Sequence, residues 1–203
     1  MKIKICGLSR QEDITMANRY KPDYIGFIFY PPSRRYVTPK KAAQLKALLD
    51  MGISVVGVFV DEDQALIERL CANGIIDIIQ LHGDEDSDYI KRLKEMTQKP
   101  VIKAIRVKNG EEIVKASELP CDYLLLDTYC EGEYGGSGKA FDHTMIPPIS
   151  KPYFLAGGLD VNNIGKAART CTPFAFDVSS GCETDGYKDE RKFMGVVSLA
   201  KLL

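Results

Sequence analysis

The feature that most limits what this chain can fold into is a repeated alternation of two kinds of segment. Short runs rich in Val, Ile, Phe and Tyr are each followed by a longer polar stretch with apolar residues three and four apart. The first kind reads as strand and the second as amphipathic helix. The strand-like runs cover residues 2–7, 24–30, 54–60, 76–82, 101–107, 123–127, 153–158 and 174–179, eight in all. Most are almost continuously apolar, as strands covered on both faces by helices are, whereas a meandering antiparallel sheet would alternate. Helix signals fall between them. Thr38 supplies an N-cap ahead of Pro39, and Ala42, Leu45, Leu48 and Leu49 form the stripe that follows. Leu66, Ile67, Leu70 and Cys71 make a second stripe. Asp160 reads as the N-cap of a helix burying Val161, Ile164, Ala167 and Ala168, and the last helix spans residues 189–202.

Eight such βα units, with no Pro/Ser-rich linker or low-complexity tract between them, match a closed parallel barrel: a compact, single-domain (β/α)8 TIM barrel over residues 1–203. A doubly wound open sheet is built from the same units. The unit count and the absence of G-x-G-x-x-G after the first strand favour the barrel. For a barrel, 203 residues is short, which implies brief loops and abbreviated helices, especially after the fifth strand.

Charge narrows the partners. The 27 basic and 28 acidic residues leave a net charge of -1, so nothing advertises a phosphate backbone or an anionic membrane. No stretch approaches the roughly 20 apolar residues of a membrane span, and residues 1–5 run into strand-like sequence without a signal-peptide apolar region. A cytoplasmic protein is expected, with no nucleic acid, no membrane and no obligate protein partner. Six cysteines, Cys6, Cys71, Cys121, Cys130, Cys171 and Cys182, are scattered without a C-x-x-C pair and are expected as free thiols. His82 and His143 lie far apart without ligand-like spacing, so no metal site is assigned.

In a barrel the active site lies at the C-terminal ends of the strands, and here those ends carry reactive groups. Cys6-Gly7 ends the first, Ser33-Arg34-Arg35 follows the second, Gln80-Leu81-His82-Gly83 ends the fourth and Asp127 the sixth. Gly157-Gly158 and Ser179-Ser180-Gly181 end the seventh and eighth, where such barrels recurrently bind phosphate. Either glycine segment alone could equally be a tight turn; at adjacent strand ends they favour phosphate on Gly157, Gly158, Ser180 and Gly181. Cys6 is either a small buried hydrophobe or a base, and a base would need a cationic or dipolar neighbour to form its thiolate. Asp127, at the barrel mouth after Tyr123-Leu124-Leu125-Leu126, is either an acid or a salt-bridge partner. His82 can donate to a ligand or be structural, and Arg35 can meet a carboxylate or phosphate or lie on the surface.

Taken together, Lys4-Ile5-Cys6-Gly7, Gly26-Phe27-Ile28-Phe29, Ser33-Arg34-Arg35-Tyr36-Val37 and Gln80-Leu81-His82-Gly83 resemble the phosphoribosylanthranilate isomerase family. So do Leu126-Asp127, Gly135-Gly136-Ser137-Gly138 with Phe141-Asp142, Ala156-Gly157-Gly158-Leu159 with Asn163, and Phe176-Asp177-Val178-Ser179-Ser180-Gly181, in the same order. The resemblance spans essentially the whole chain. It implies an Amadori rearrangement of N-(5-phosphoribosyl)anthranilate in tryptophan biosynthesis, a small phosphorylated substrate and no cofactor or metal. It further implies Asp127 as general acid, Cys6 as general base, and Arg35, with His82 and Asp177, around the sugar and anthranilate. The Gly135 to Gly138 stretch resembles a flap that closes over substrate.

Two departures from the family pattern are visible: His143 where many relatives have tryptophan after Phe-Asp, and Arg34 within Ser33-Arg34-Arg35. Other sugar-phosphate barrels share the phosphate loops, but an indoleglycerol-phosphate synthase uses a lysine where this chain has Cys6, and a ribulose-phosphate epimerase expects metal-binding histidines. A non-catalytic phosphate sensor on the same scaffold is the reading from another class, and Cys6 together with Asp127 argues against it.

Overall fold

The computed structural model describes residues 1–128 and 142–203. Eight parallel strands close into a barrel in sequence order: β1 (Lys2–Cys6), β2 (Tyr24–Ile28), β3 (Ser54–Phe59), β4 (Ile78–Leu81), β5 (Val101–Val107), β6 (Tyr123–Thr128), β7 (Tyr153–Leu155) and β8 (Ala175–Val178). β1 pairs with both β2 and β8, which closes the ring and excludes the open sheet. Outside it lie α1 (Gln11–Tyr20), α2 (Pro39–Ala47), α3 (Gln64–Ala72), α4 (Ser87–Thr97), α5 (Gly110–Ser117), α6 (Ile164–Thr170) and α7 (Glu190–Leu202). No helix among the described residues is long and apolar enough to cross a membrane.

Strand parity divides the buried residues into two cores. Ile3, Ile5, Ile25, Phe27, Leu124, Leu126, Phe176 and Val178 point outward and meet the helices. Tyr24, Val56, Ile102, Ala104, Leu125, Phe154, Ala156 and Ala175 point inward and fill the lower barrel. Because successive side chains alternate, the inward series continues upward to polar groups at the strand ends. Asp127 lies two residues beyond Leu125, and Asp177 two beyond Ala175. The barrel interior therefore turns from apolar to polar toward the C-terminal face.

Most expected elements are present with shorter ends. β7 stops at Leu155, not at Gly158, because Gly157 and Gly158 leave the extended region with φ of 86° and 63°. β4 starts at Ile78, not Ile76. Thr38 caps α2 as expected, its hydroxyl accepting from the Lys41 N–H at 3.2 Å, although Leu48 falls beyond the helix and is exposed. Asp160 does not cap α6. Its carboxylate accepts from the N–H groups of Asn162 and Asn163 in the preceding turn, the helix begins at Ile164, and Val161 is left exposed. The short helix expected after β5 is α5, of 8 residues. Between β6 and β7 the described residues carry a 3₁₀ turn, His143–Met145. β8 is followed by a small ribbon, β9 (Glu183–Thr184) and β10 (Tyr187–Lys188), ahead of α7, which Asp189 caps.

Candidate active site

A cavity of about 550 Å³ opens at the C-terminal ends of the strands. Cys6, Arg35, His82, Asp127, Gly157, Gly158, Asp177 and Ser180 all line it, so eight of the nine candidate residues converge from six parts of the chain. Gly181 is not on the wall. It sits in the 3₁₀ turn Ser180–Cys182, where a Cβ would come within 1.9 Å of the Leu159 carbonyl oxygen, so a glycine there lets that turn pack against the loop after β7. Cys130, the Gly135 to Gly138 stretch and Phe141 lie outside the described residues. The five described cysteines are free, as expected.

Cys6 reaches the cavity because β1 pairs it with Gly26, where a Cβ would lie 2.7 Å from its sulfur. Burial pushes the Cys6 thiol up from its ordinary value, opposed by the cations Lys4 and Lys188 and reinforced by Asp177. Lys4, two residues earlier and therefore on the same inward face, is fully buried and bonds both oxygens of Asp177 at 3.0 Å. Burial works against the Lys4 charge, but Asp177 and Cys6 together hold its pKa above the usual lysine value.

Asp127 accepts a backbone hydrogen bond from Thr128 at 2.8 Å on one oxygen and faces His82 Nε2 with the other at 3.5 Å. The Gln80 amide nitrogen lies 2.9 Å from His82 Nδ1. Donation there leaves the ring proton on Nε2, directed at Asp127. Gln80 Oε1 and His82 Nε2 are buried with no hydrogen-bond partner among the described residues, both at the cavity wall.

Arg35 crosses Gly7, where a Cβ would meet its Cδ at 2.4 Å and φ is 81°. Glu183 holds it through two hydrogen bonds and also takes Lys188 at 2.7 Å and Arg34 at 3.0 Å. Burial alone would raise the Glu183 pKa, but Arg35 and Lys188 hold it below the usual carboxylate value. The turn after β7 is braced by Asn163, whose side chain donates to the Gly158 carbonyl at 2.8 Å and accepts from the Asp160 N–H at 2.9 Å.

From the sequence, Glu183 and Lys188 carry no assigned role, and Lys4 none beyond its place in the Lys4-Ile5-Cys6-Gly7 motif. For Lys4 a signal existed, since a lysine two residues before Cys6 on an apolar strand has to share its face. For Glu183 there was none: it lies 148 residues from Arg35, on a two-residue strand without a pattern.

The chain matches the family model described as N-(5'phosphoribosyl)anthranilate (PRA) isomerase over residues 3–198. It is 45% identical over 202 residues to N-(5'-phosphoribosyl)anthranilate isomerase of Endomicrobium trichonymphae, covering 100% of this chain and 99% of that one. The crystal structure of phosphoribosyl anthranilate isomerase from Thermotoga maritima superposes with a TM-score of 0.89 at 33% identity, covering 100% of both chains. A phosphoribosyl anthranilate isomerase solved in complex with reduced 1-(o-carboxyphenylamino)-1-deoxyribulose 5-phosphate superposes with a TM-score of 0.85 at 31% identity, again over 100% of both. With family model, sequence and closed barrel agreeing along the whole length, this chain belongs to the N-(5'-phosphoribosyl)anthranilate isomerase family.

Proposed function

We propose that residues 1–203 form one catalytic domain that isomerises N-(5-phosphoribosyl)anthranilate to 1-(2-carboxyphenylamino)-1-deoxyribulose 5-phosphate, an aldose–ketose step of tryptophan biosynthesis. The observation that carries this reading is the opening of Cys6 and Asp127 onto one cavity whose wall also holds the glycine turn after β7 and the guanidinium of Arg35. Asp127, protonated, gives its proton to the ribose ring oxygen as the C1–O bond breaks, and the anilino nitrogen supplies the electron pair that forms the iminium ion. Cys6, as thiolate, then takes the C2 proton, and those electrons neutralise the iminium to give an enolamine. The enolamine gains a proton at C1 and loses one from the C2 hydroxyl, which yields the ketone. No oxidant or reductant is consumed, and the order follows from chemistry: the cationic imine is what acidifies the C2–H.

The phosphate is assigned to the cavity edge formed by Gly157, Gly158 and Ser180, with Gly181 shaping the turn behind them. Arg35 is assigned to the anthranilate carboxylate, a planar anion that suits a guanidinium already fixed in plane by Glu183. His82, whose Nε2 lies 3.5 Å from Asp127, and Asp177 are assigned to the sugar and anthranilate of the substrate. The test is direct: purified protein is mixed with freshly prepared substrate, and the loss of its fluorescence is followed. Turnover is expected, and folded protein without any would overturn the proposal.

A further inference from the structure

Lys4 is the largest fully buried charged side chain among the described residues, at 0% exposure. Placing an ammonium there forfeits its hydration, and a buried ion pair is often no more stable than apolar residues of the same volume. Pairing with Asp177 therefore explains how Lys4 is tolerated and leaves open what it does. Its position is informative. Lys4 and Cys6 stand two residues apart on β1, so both side chains point inward, with Lys4 one layer beneath the thiol. Among the described residues, the charged groups that act on the thiol include Lys4 from its own strand, Asp177 from β8, Lys188 from the β10 ribbon and Arg35 from the loop after β2. Glu183 already occupies Arg35 and Lys188, and Asp177 occupies Lys4. With Arg34, which also bonds Glu183, four cations stand against two carboxylates, so the surroundings favour a negative charge on Cys6.

We infer that Lys4 is a positioning residue for the isomerisation: its buried ammonium, anchored by Asp177 and facing Cys6 from below, supplies the charge that lets the thiol work as a thiolate. This rests on the reading of Cys6 as the base. Among the groups acting on the thiol, Lys4 is the foremost that favours ionisation, against the burial that opposes it. The geometry also gives Asp177 a second task, since by fixing the Lys4 ammonium with two 3.0 Å bonds it aims that charge along the barrel wall.

The test compares intact parent enzyme with Lys4→Gln and with the paired variant Lys4→Gln/Asp177→Asn, which leaves no lone buried carboxylate. Two quantities are read against pH: the rate of iodoacetamide alkylation at the Cys6 peptide, and kcat. In Lys4→Gln the alkylation profile should move alkaline by about one pH unit or more, and kcat near neutrality should fall by about tenfold or more and recover as pH rises. A residue that served packing alone would lower activity without pH recovery. The paired variant should keep the alkaline shift, and it decides the matter by itself if Lys4→Gln does not fold. An unshifted Cys6 profile in folded Lys4→Gln would overturn the inference, as would a parental profile in the pair, because Lys4 would then be only the counter-ion of Asp177. Near-parental turnover by Cys6→Ala would remove the base assignment, and the inference with it. Inactive Cys6→Ala together with an unshifted Lys4→Gln profile would remove the inference alone.

Discussion

Arg35 meets Glu183 through two parallel hydrogen bonds, Nε to Oε1 at 2.7 Å and Nη2 to Oε2 at 2.8 Å, so the guanidinium plane is set before any ligand arrives. Glu183→Ala would leave Arg35 and the buried Lys188 without the carboxylate they share. Unfolding in urea should show a loss of about 3–5 kcal/mol, the usual cost of breaking a buried pair from one side. Arg35→Lys keeps the charge and loses the fork, so KM should rise by about tenfold or more with a smaller change in kcat. An unchanged KM would move the carboxylate site elsewhere.

The proton-transfer pair should matter in the transition state far more than in binding. Cys6→Ala and Asp127→Asn should each lower kcat by about 10²-fold to 10⁴-fold. Affinity for the reduced product analogue, measured by calorimetry, should stay within about tenfold of the parent, because its contacts come from the phosphate edge and Arg35. Folded variants that bind the analogue and turn over at parental rates would end the acid–base assignment.

Phosphate recognition by the glycine turns predicts that inorganic phosphate inhibits competitively. Gly158→Asp should abolish that inhibition by placing a like charge and a side chain at φ of 63°. Gly181→Ala should act differently, as a folding defect, since its Cβ would sit 1.9 Å from the Leu159 carbonyl oxygen. Thermal unfolding separates the two, with a lowered midpoint expected chiefly for Gly181→Ala.

Burial raises the Cys6 thiol above its ordinary value, so the thiolate is scarce at neutrality. The reactive form needs Cys6 as thiolate and Asp127 protonated together, so where chemistry limits the rate kcat/KM should depend on pH as a bell, falling at both the acid and the alkaline extremes. The limbs belong to the coupled site rather than to single residues. A flat profile with chemistry shown to be limiting would count against a cysteine base.

Glu183 gives a separate dependence on acid. Its folded pKa is depressed below the ordinary 4.5 by Arg35 and Lys188 acting against burial. Its stabilisation is therefore complete above that ordinary value and is lost as pH falls through the lower folded one. The urea midpoint should drop in that acid window in the parent, and the drop should be shallower in Glu183→Gln. Equal slopes would show that Glu183 does not couple to folding.

The sequence by itself determined the succession of βα units, because its evidence is local and repeated. Each apolar run such as Leu124-Leu125-Leu126 needs cover on both faces, and eight of them joined by helix-forming segments favour a closed parallel ring, while the pairing of β1 with β8 is what excludes the open sheet. The same locality made Cys6, Asp127, Gly157 and Gly158 visible, since strand ends can be counted along the chain. Only the tertiary structure decided what surrounds them. Ring closure sets β8 beside β1 and so brings Asp177 onto Lys4 across 173 residues, while the small ribbon brings Glu183 onto Arg35 across 148. The close packing of Gly181 against Leu159, and the place of Asp160 in a turn rather than as a cap, likewise rest on contacts no periodicity encodes. The reason is range: backbone propensity and apolar spacing act over a few residues, whereas charge pairing and steric fit act through space and are fixed only once the ring has closed.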